Sequence, residues 1–179
     1  MNLVKDPLLS AAKVLLTFFI AVLGLTALAF TLAAPATLLF KARVLQAFAD
    51  EGVKGAEAIY PSLPLVVLGL AALLALGVYF LVLLKRIVAS VGEGDPFAPV
   101  NAVRLSHMGW ATLAGQVASI PIGAATIWVA RIVADNDPVE LRDDFGFSGS
   151  TLLLTLVLFI LARVFRRGAQ MREELEGTV

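Results

Sequence analysis

Residues 58–84 read AIYPSLPLVVLGLAALLALGVYFLVLL, with no charged side chain between Glu57 and Lys85. Crossing the hydrocarbon core of a bilayer takes about 20 apolar residues in a helix, with a range of roughly 17–25. In lipid the backbone must satisfy its own hydrogen bonds, so only a helix or a closed barrel spans, and this run is far too long for a barrel strand. Three further charge-free windows follow the same rule: 14–40, 105–130 and 145–162. The first is about twice the roughly 7–15 residues of a cleavable leader's apolar region, so it reads as a spanning helix. The expectation is an all-α integral membrane four-helix bundle. The whole chain, 1–179, forms one domain, with spans near 14–38, 62–84, 105–130 and 147–163.

Composition agrees. Hydrophobic residues make up 59% and charged residues 16% of the chain, and mean hydropathy is +0.90; soluble domains are nearer half apolar and a quarter charged. Basic and acidic residues balance at 14 each. No excess positive charge attracts a polyanion, and no direct nucleic-acid binding is expected. The absence of cysteine removes disulfides, thiolate nucleophiles and thiolate metal sites together.

Orientation follows from the basic residues. With four spans, the N-terminus, the middle loop and the C-terminus share one face. That face carries nine lysines and arginines against five on the other. The positive-inside rule places both termini and the middle loop in the cytoplasm. The outer loops hold acids instead, including Asp50, Glu51 and Glu57, then Asp135, Asp137, Glu140, Asp143 and Asp144. Trp110 and Trp128 are 18 residues apart, or about 27 Å of helix, and so mark the two rims of the third span.

Within the third span, Gly115, Ser119 and Gly123 recur every four residues, a spacing that lets helix backbones approach closely. It serves packing within the bundle or self-association into a homo-oligomer. Pro121 interrupts the same stretch, where a kink is expected. Gln116 is the most polar side chain deep in the membrane. It serves as an interhelical hydrogen-bond donor or as part of a transport path.

Phe40, Val44, Leu45 and Phe48 in the first outer loop have helical spacing, giving an amphipathic segment that extends the first helix or lies on the membrane surface. In the second outer loop, Asp137-Pro138-Val139-Glu140 has the pattern of a short helix start. Its acids do not fit a calcium loop. Arg163, Arg166 and Arg167 follow the fourth span on one helical face and are placed to contact anionic lipid headgroups. Beyond them the tail continues as helix and frays at Gly177.

The middle loop, 90–105, reads SVGEGDPFAPVNAVRL. Gly92 and Gly94 end one helix, and Pro99 opens the next. Asn101, Leu105, Met108 and Thr112 then share a face. Phe97, in a polar loop, is expected to fold back against the helices. Gly94-x-Pro96-Phe97, then Asn101, Arg104-Leu105 and Gly109, resembles the signature of the domain-of-unknown-function 2975 family. The likeness runs over essentially the whole chain, including a tail ending Leu175-Glu176-Gly177-Thr178-Val179. The chain departs from the pattern at Gly177, and at Ala98, where a Ser or Thr helix cap is usual.

The resemblance implies a four-helix protein of the bacterial cytoplasmic membrane without an established activity. It also implies a cytoplasmic partner of the small helix-turn-helix regulator class. Gly94, Pro96, Phe97, Asn101 and Arg104 are then the candidate partner contacts. No catalytic constellation is visible. His107 is the sole histidine and makes a weak metal site by itself. No Asp, Glu, Lys or Arg lies in the four windows, where ion-coupled transporters usually carry ionisable residues. The expected function is non-enzymatic, without cofactor or metal: partner binding through the middle loop and tail. The alternative is a small oligomeric channel or transporter using Gln116.

Overall fold

The computed structural model describes residues 7–53, 55–133 and 148–176. Among these the structure is entirely helical. Helix α1 runs Pro7–Leu39, α2 Lys41–Asp50 and α3 Ala56–Ile59, and a 3₁₀ turn, Tyr60–Ser62, leads into α4, Leu63–Gly92. Helix α5 is Pro99–Val133 and α6 is Gly149–Glu176. Four stretches are long and apolar enough to cross a membrane: α1, α3 through α4, α5 and α6. The short helix expected at 137–140 lies outside the described residues.

The surface of these helices explains why the chain needs lipid. Large apolar side chains stand outward along α1, such as Leu25 at 68% exposed, and none of its most apolar window is buried within the protein. Water would penalise such contiguous apolar area, whereas lipid does not. Three threonine hydroxyls on α1 are satisfied locally. The hydroxyls of Thr17, Thr31 and Thr37 donate to the carbonyls of Lys13, Ala27 and Ala34 at 2.6, 2.8 and 2.7 Å, as an apolar solvent demands. Pro35 lies inside α1 and Pro121 inside α5, and helix continues on both sides of each.

The chain separates into two compact units. One comprises residues 24–75 and 115–148. Here α1 breaks at Phe40 and α2 follows at once, as the spacing of Phe40, Val44, Leu45 and Phe48 predicts. Val44, Leu45 and Phe48 are half-buried on one side. Gly52, at φ +73°, closes α2. Its N–H reaches Ala49 O at 3.0 Å, and Val53 N–H reaches Phe48 O at 2.8 Å, the paired bonds of a Schellman end. Ile59 and Tyr60 are buried. The Tyr60 hydroxyl donates to Thr37 O at 2.8 Å, one of the last-turn carbonyls α1 cannot satisfy itself. Gly69 lets α4 approach α5 closely, since a Cβ there would lie 2.8 Å from Ile122. Gln116 is buried, at 6% exposed, and has a partner within the protein.

The other unit comprises residues 1–23, 76–114 and 149–179. Its core is Leu83 and Ile87 of α4, Leu105 and Met108 of α5, and Leu158 and Ala162 of α6, with Phe80, Leu84 and Phe165 packed around them. The face of α5 that Asn101, Leu105, Met108 and Thr112 share turns inward: Asn101, Leu105 and Met108 are buried. Thr112 on that face shares a 2.9 Å hydrogen bond with Thr155 of α6. The middle loop and all of α6 belong to this unit.

Candidate functional site

The loop 93–98 begins where α4 must stop. Gly94 takes φ +86°, a left-handed conformation open to glycine at little cost. Its N–H bonds Val91 O at 3.1 Å, and Asp95 N–H bonds Ser90 O at 3.1 Å. These are the two bonds of a Schellman motif, and they satisfy carbonyls left over at the helix end. The loop ends at Ala98, whose carbonyl accepts Asn101 N–H at 2.8 Å. Pro99 then occupies the first helical position, where a missing N–H costs nothing. Ala98 has no side-chain oxygen to cap α5.

Asn101 organises this turn from inside. Its side chain is 0% exposed. The amide nitrogen donates to Ser90 Oγ at 2.7 Å and to Pro96 O at 3.0 Å. The amide oxygen accepts Arg104 Nη1 at 2.9 Å. A carbonyl and a guanidinium on opposite sides fix the amide orientation, because only the NH₂ can donate to Pro96 and only the oxygen can accept from Arg104. Ser90 passes the chain of bonds on, donating to Ile87 O at 2.8 Å. Arg104 also donates to Arg86 O at 3.1 Å. One buried amide therefore ties the last turns of α4, the loop and the first turn of α5 together. Asn101 is shielded from direct contact with any partner and acts by holding the loop's shape.

Two further contacts fasten the loop to α6. The Phe97 ring lies 5.4 Å from the Phe165 ring, centroid to centroid. It also rests on Gly168: a Cβ at that position would fall 2.8 Å from Phe97 Cδ1. The expected folding-back of Phe97 is present, although 43% of the residue stays exposed. Asp95 pairs with Arg172 at 2.6 Å across 77 residues of sequence. The candidate residues Gly94, Pro96, Phe97, Asn101 and Arg104 thus converge on one turn. Sequence reading missed Ser90, Asp95, Gly168 and Arg172 as its partners. Gly168, within a run of long side chains on α6, was the available signal.

Arg163, Arg166 and Arg167 do lie on one side of α6. With Gln170, Phe159, Ala162 and Ser106 of α5 they line a cleft of about 430 Å³. Phe159 packs over Gly109 and meets the Trp110 ring edge-on at 5.5 Å. His107 shares a 3.1 Å hydrogen bond with the Tyr79 hydroxyl. Among the described residues, no group of three or more His, Cys, Asp or Glu side chains is placed to hold a metal ion.

No curated protein and no solved structure matches this chain. Residues 45–179, from within α2 to the C-terminus, match the family described as Protein of unknown function (DUF2975). That span includes the turn built on Gly94, Pro96, Phe97, Asn101 and Arg104 together with α6, on which it is fastened, and the chain belongs to this family.

Proposed function

We propose that this is a non-enzymatic, multi-pass protein of the bacterial cytoplasmic membrane that binds a cytoplasmic protein through its middle loop and the end of α6. The observation that supports this is apolar exposure where lipid is not expected. Phe97, Val100 and Val103 precede the third charge-free window, and Met171 and Leu175 follow the arginines of α6. All five are exposed, Leu175 to 72%. Apolar side chains standing in water beyond the membrane favour a protein partner. The contacts of Phe97 with Gly168 and of Asp95 with Arg172 join loop and tail, so a partner would meet both. A small helix-turn-helix regulator is the first candidate, held at the membrane away from DNA. The channel reading has no comparable support, since Gln116 is buried and partnered within the protein.

The test is site-specific photocrosslinking in native membranes, with the crosslinker at Val100 or Leu175 and a control at Leu156 inside the fourth window. The expected result is one soluble regulatory protein captured from both test positions and not from the control, and lost on Met171→Glu. Capture of lipid alone at all three positions would overturn the reading.

A further inference from the structure

We propose that the cleft between α5 and α6 is a binding site for the phosphate group of an anionic phospholipid. This does not depend on the protein-partner reading. Three observations carry it. First, the cleft is graded: Phe159 and Ala162 lie within the charge-free window, and Arg163, Arg166, Arg167 and Gln170 lie just past its end. An amphiphile has the same grading, with acyl chain on one side and charged headgroup on the other.

Second, none of Arg163, Arg166 and Arg167 makes an ion pair or side-chain hydrogen bond with a described residue. Arg172, one turn on, is paired with Asp95. Three guanidinium groups within five residues repel one another, and like charges at these spacings destabilise a helix unless an anion intervenes. Guanidinium forks match phosphate oxygens with two parallel bonds, which a bare ammonium cannot do.

Third, Ser106 is half-buried in the wall of the cleft, and its hydroxyl likewise has no hydrogen-bond partner among the described residues. Most other hydroxyls on these helices bond back to a carbonyl of their own helix, as Thr112, Ser119, Thr126 and Thr155 do. Ser106 is placed to donate to a bound oxyanion instead. A volume of about 430 Å³ is in the range of small-ligand sites, roughly 300–1,000 Å³.

The full-length protein in non-ionic detergent is titrated with phosphatidylglycerol and, separately, with phosphatidylcholine, and bound lipid is counted by native mass spectrometry. One phosphatidylglycerol is expected to be retained in preference to phosphatidylcholine. Each arginine near a headgroup contributes about fivefold, so Arg166→Gln with Arg167→Gln lowers retention on the order of 30-fold. Arg86→Gln, set against Arg166→Gln alone, removes an equal charge outside the cleft from the same unit and is expected to change little, as is the elution of every variant. Ser106→Ala weakens the anionic lipid without affecting phosphatidylcholine. Competition by millimolar inorganic phosphate would support the site through its phosphate chemistry alone. Failure to compete, with the arginine dependence intact, would support it with the acyl chain required. Equal retention of both lipids, or equal loss on Arg86→Gln, would overturn it.

Discussion

Replacing Asn101 separates a hydrogen-bonding clasp from simple packing. Asn101→Ala deletes two neutral bonds, to Ser90 Oγ and Pro96 O, each contributing about 1 kcal/mol net. It also deletes the bond from Arg104. That donor is charged but half-exposed, so water replaces much of its loss, and about 1 kcal/mol is a fair discount. The sum is about 3 kcal/mol, or roughly 6–12 °C in Tm for a chain of this length. Asn101→Asp keeps the shape and inverts the chemistry. A carboxylate has no donor for Pro96 O 3.0 Å away, and a buried charge is costly even beside Arg104. Asn101→Asp is therefore expected to be at least as destabilised as Asn101→Ala at neutral pH. Thermal unfolding in detergent, followed by fluorescence-detected size exclusion, reads both. An Asp variant matching wild type while the Ala variant falls would refute the donor argument and leave only shape.

The remaining predictions concern the same turn. Gly94→Ala places a Cβ at φ +86° and should cost about 1–2 kcal/mol, read as a fall in Tm, with Gly94→Asn less affected. Gly168→Leu should expel the Phe97 ring from α6, and limited chymotrypsin digestion should then cut at Phe97 faster than in wild type. Asp95→Asn breaks a pair whose side chains are 52% and 45% exposed. It should lower stability by no more than about 1 kcal/mol, and less still in high salt.

Much of the fold was legible because lipid imposes one rule along a whole segment. Four charge-free windows gave four long helices, and Gly94 and Pro99 marked where α4 ends and α5 begins. The helical spacing of Phe40, Val44, Leu45 and Phe48 marked α2, and that of Arg163, Arg166 and Arg167 marked a common side of α6. What periodicity does not report is which neighbour a face meets. Asn101 read as a candidate partner contact, because its partners Ser90 and Pro96 become neighbours only once the chain turns back. Asp95 and Arg172 are 77 residues apart, and nothing local couples them. Gly168 passes for an ordinary helix glycine until Phe97 lies over it. Ser106 has no distinguishing context in sequence; its open hydroxyl emerges only from the packing of α5 beside α6.

The proposed partner surface requires the loop 93–98 and the end of α6 to face the cytoplasm. The chain contains no cysteine, so single cysteines report topology without background. Glu93→Cys, Glu173→Cys and Glu51→Cys would each be exposed to a membrane-impermeant maleimide in intact cells and again after permeabilisation. The account predicts labelling of the Glu51 variant in intact cells, and of the Glu93 and Glu173 variants only after permeabilisation. Labelling at Glu93 or Glu173 in intact cells would contradict it.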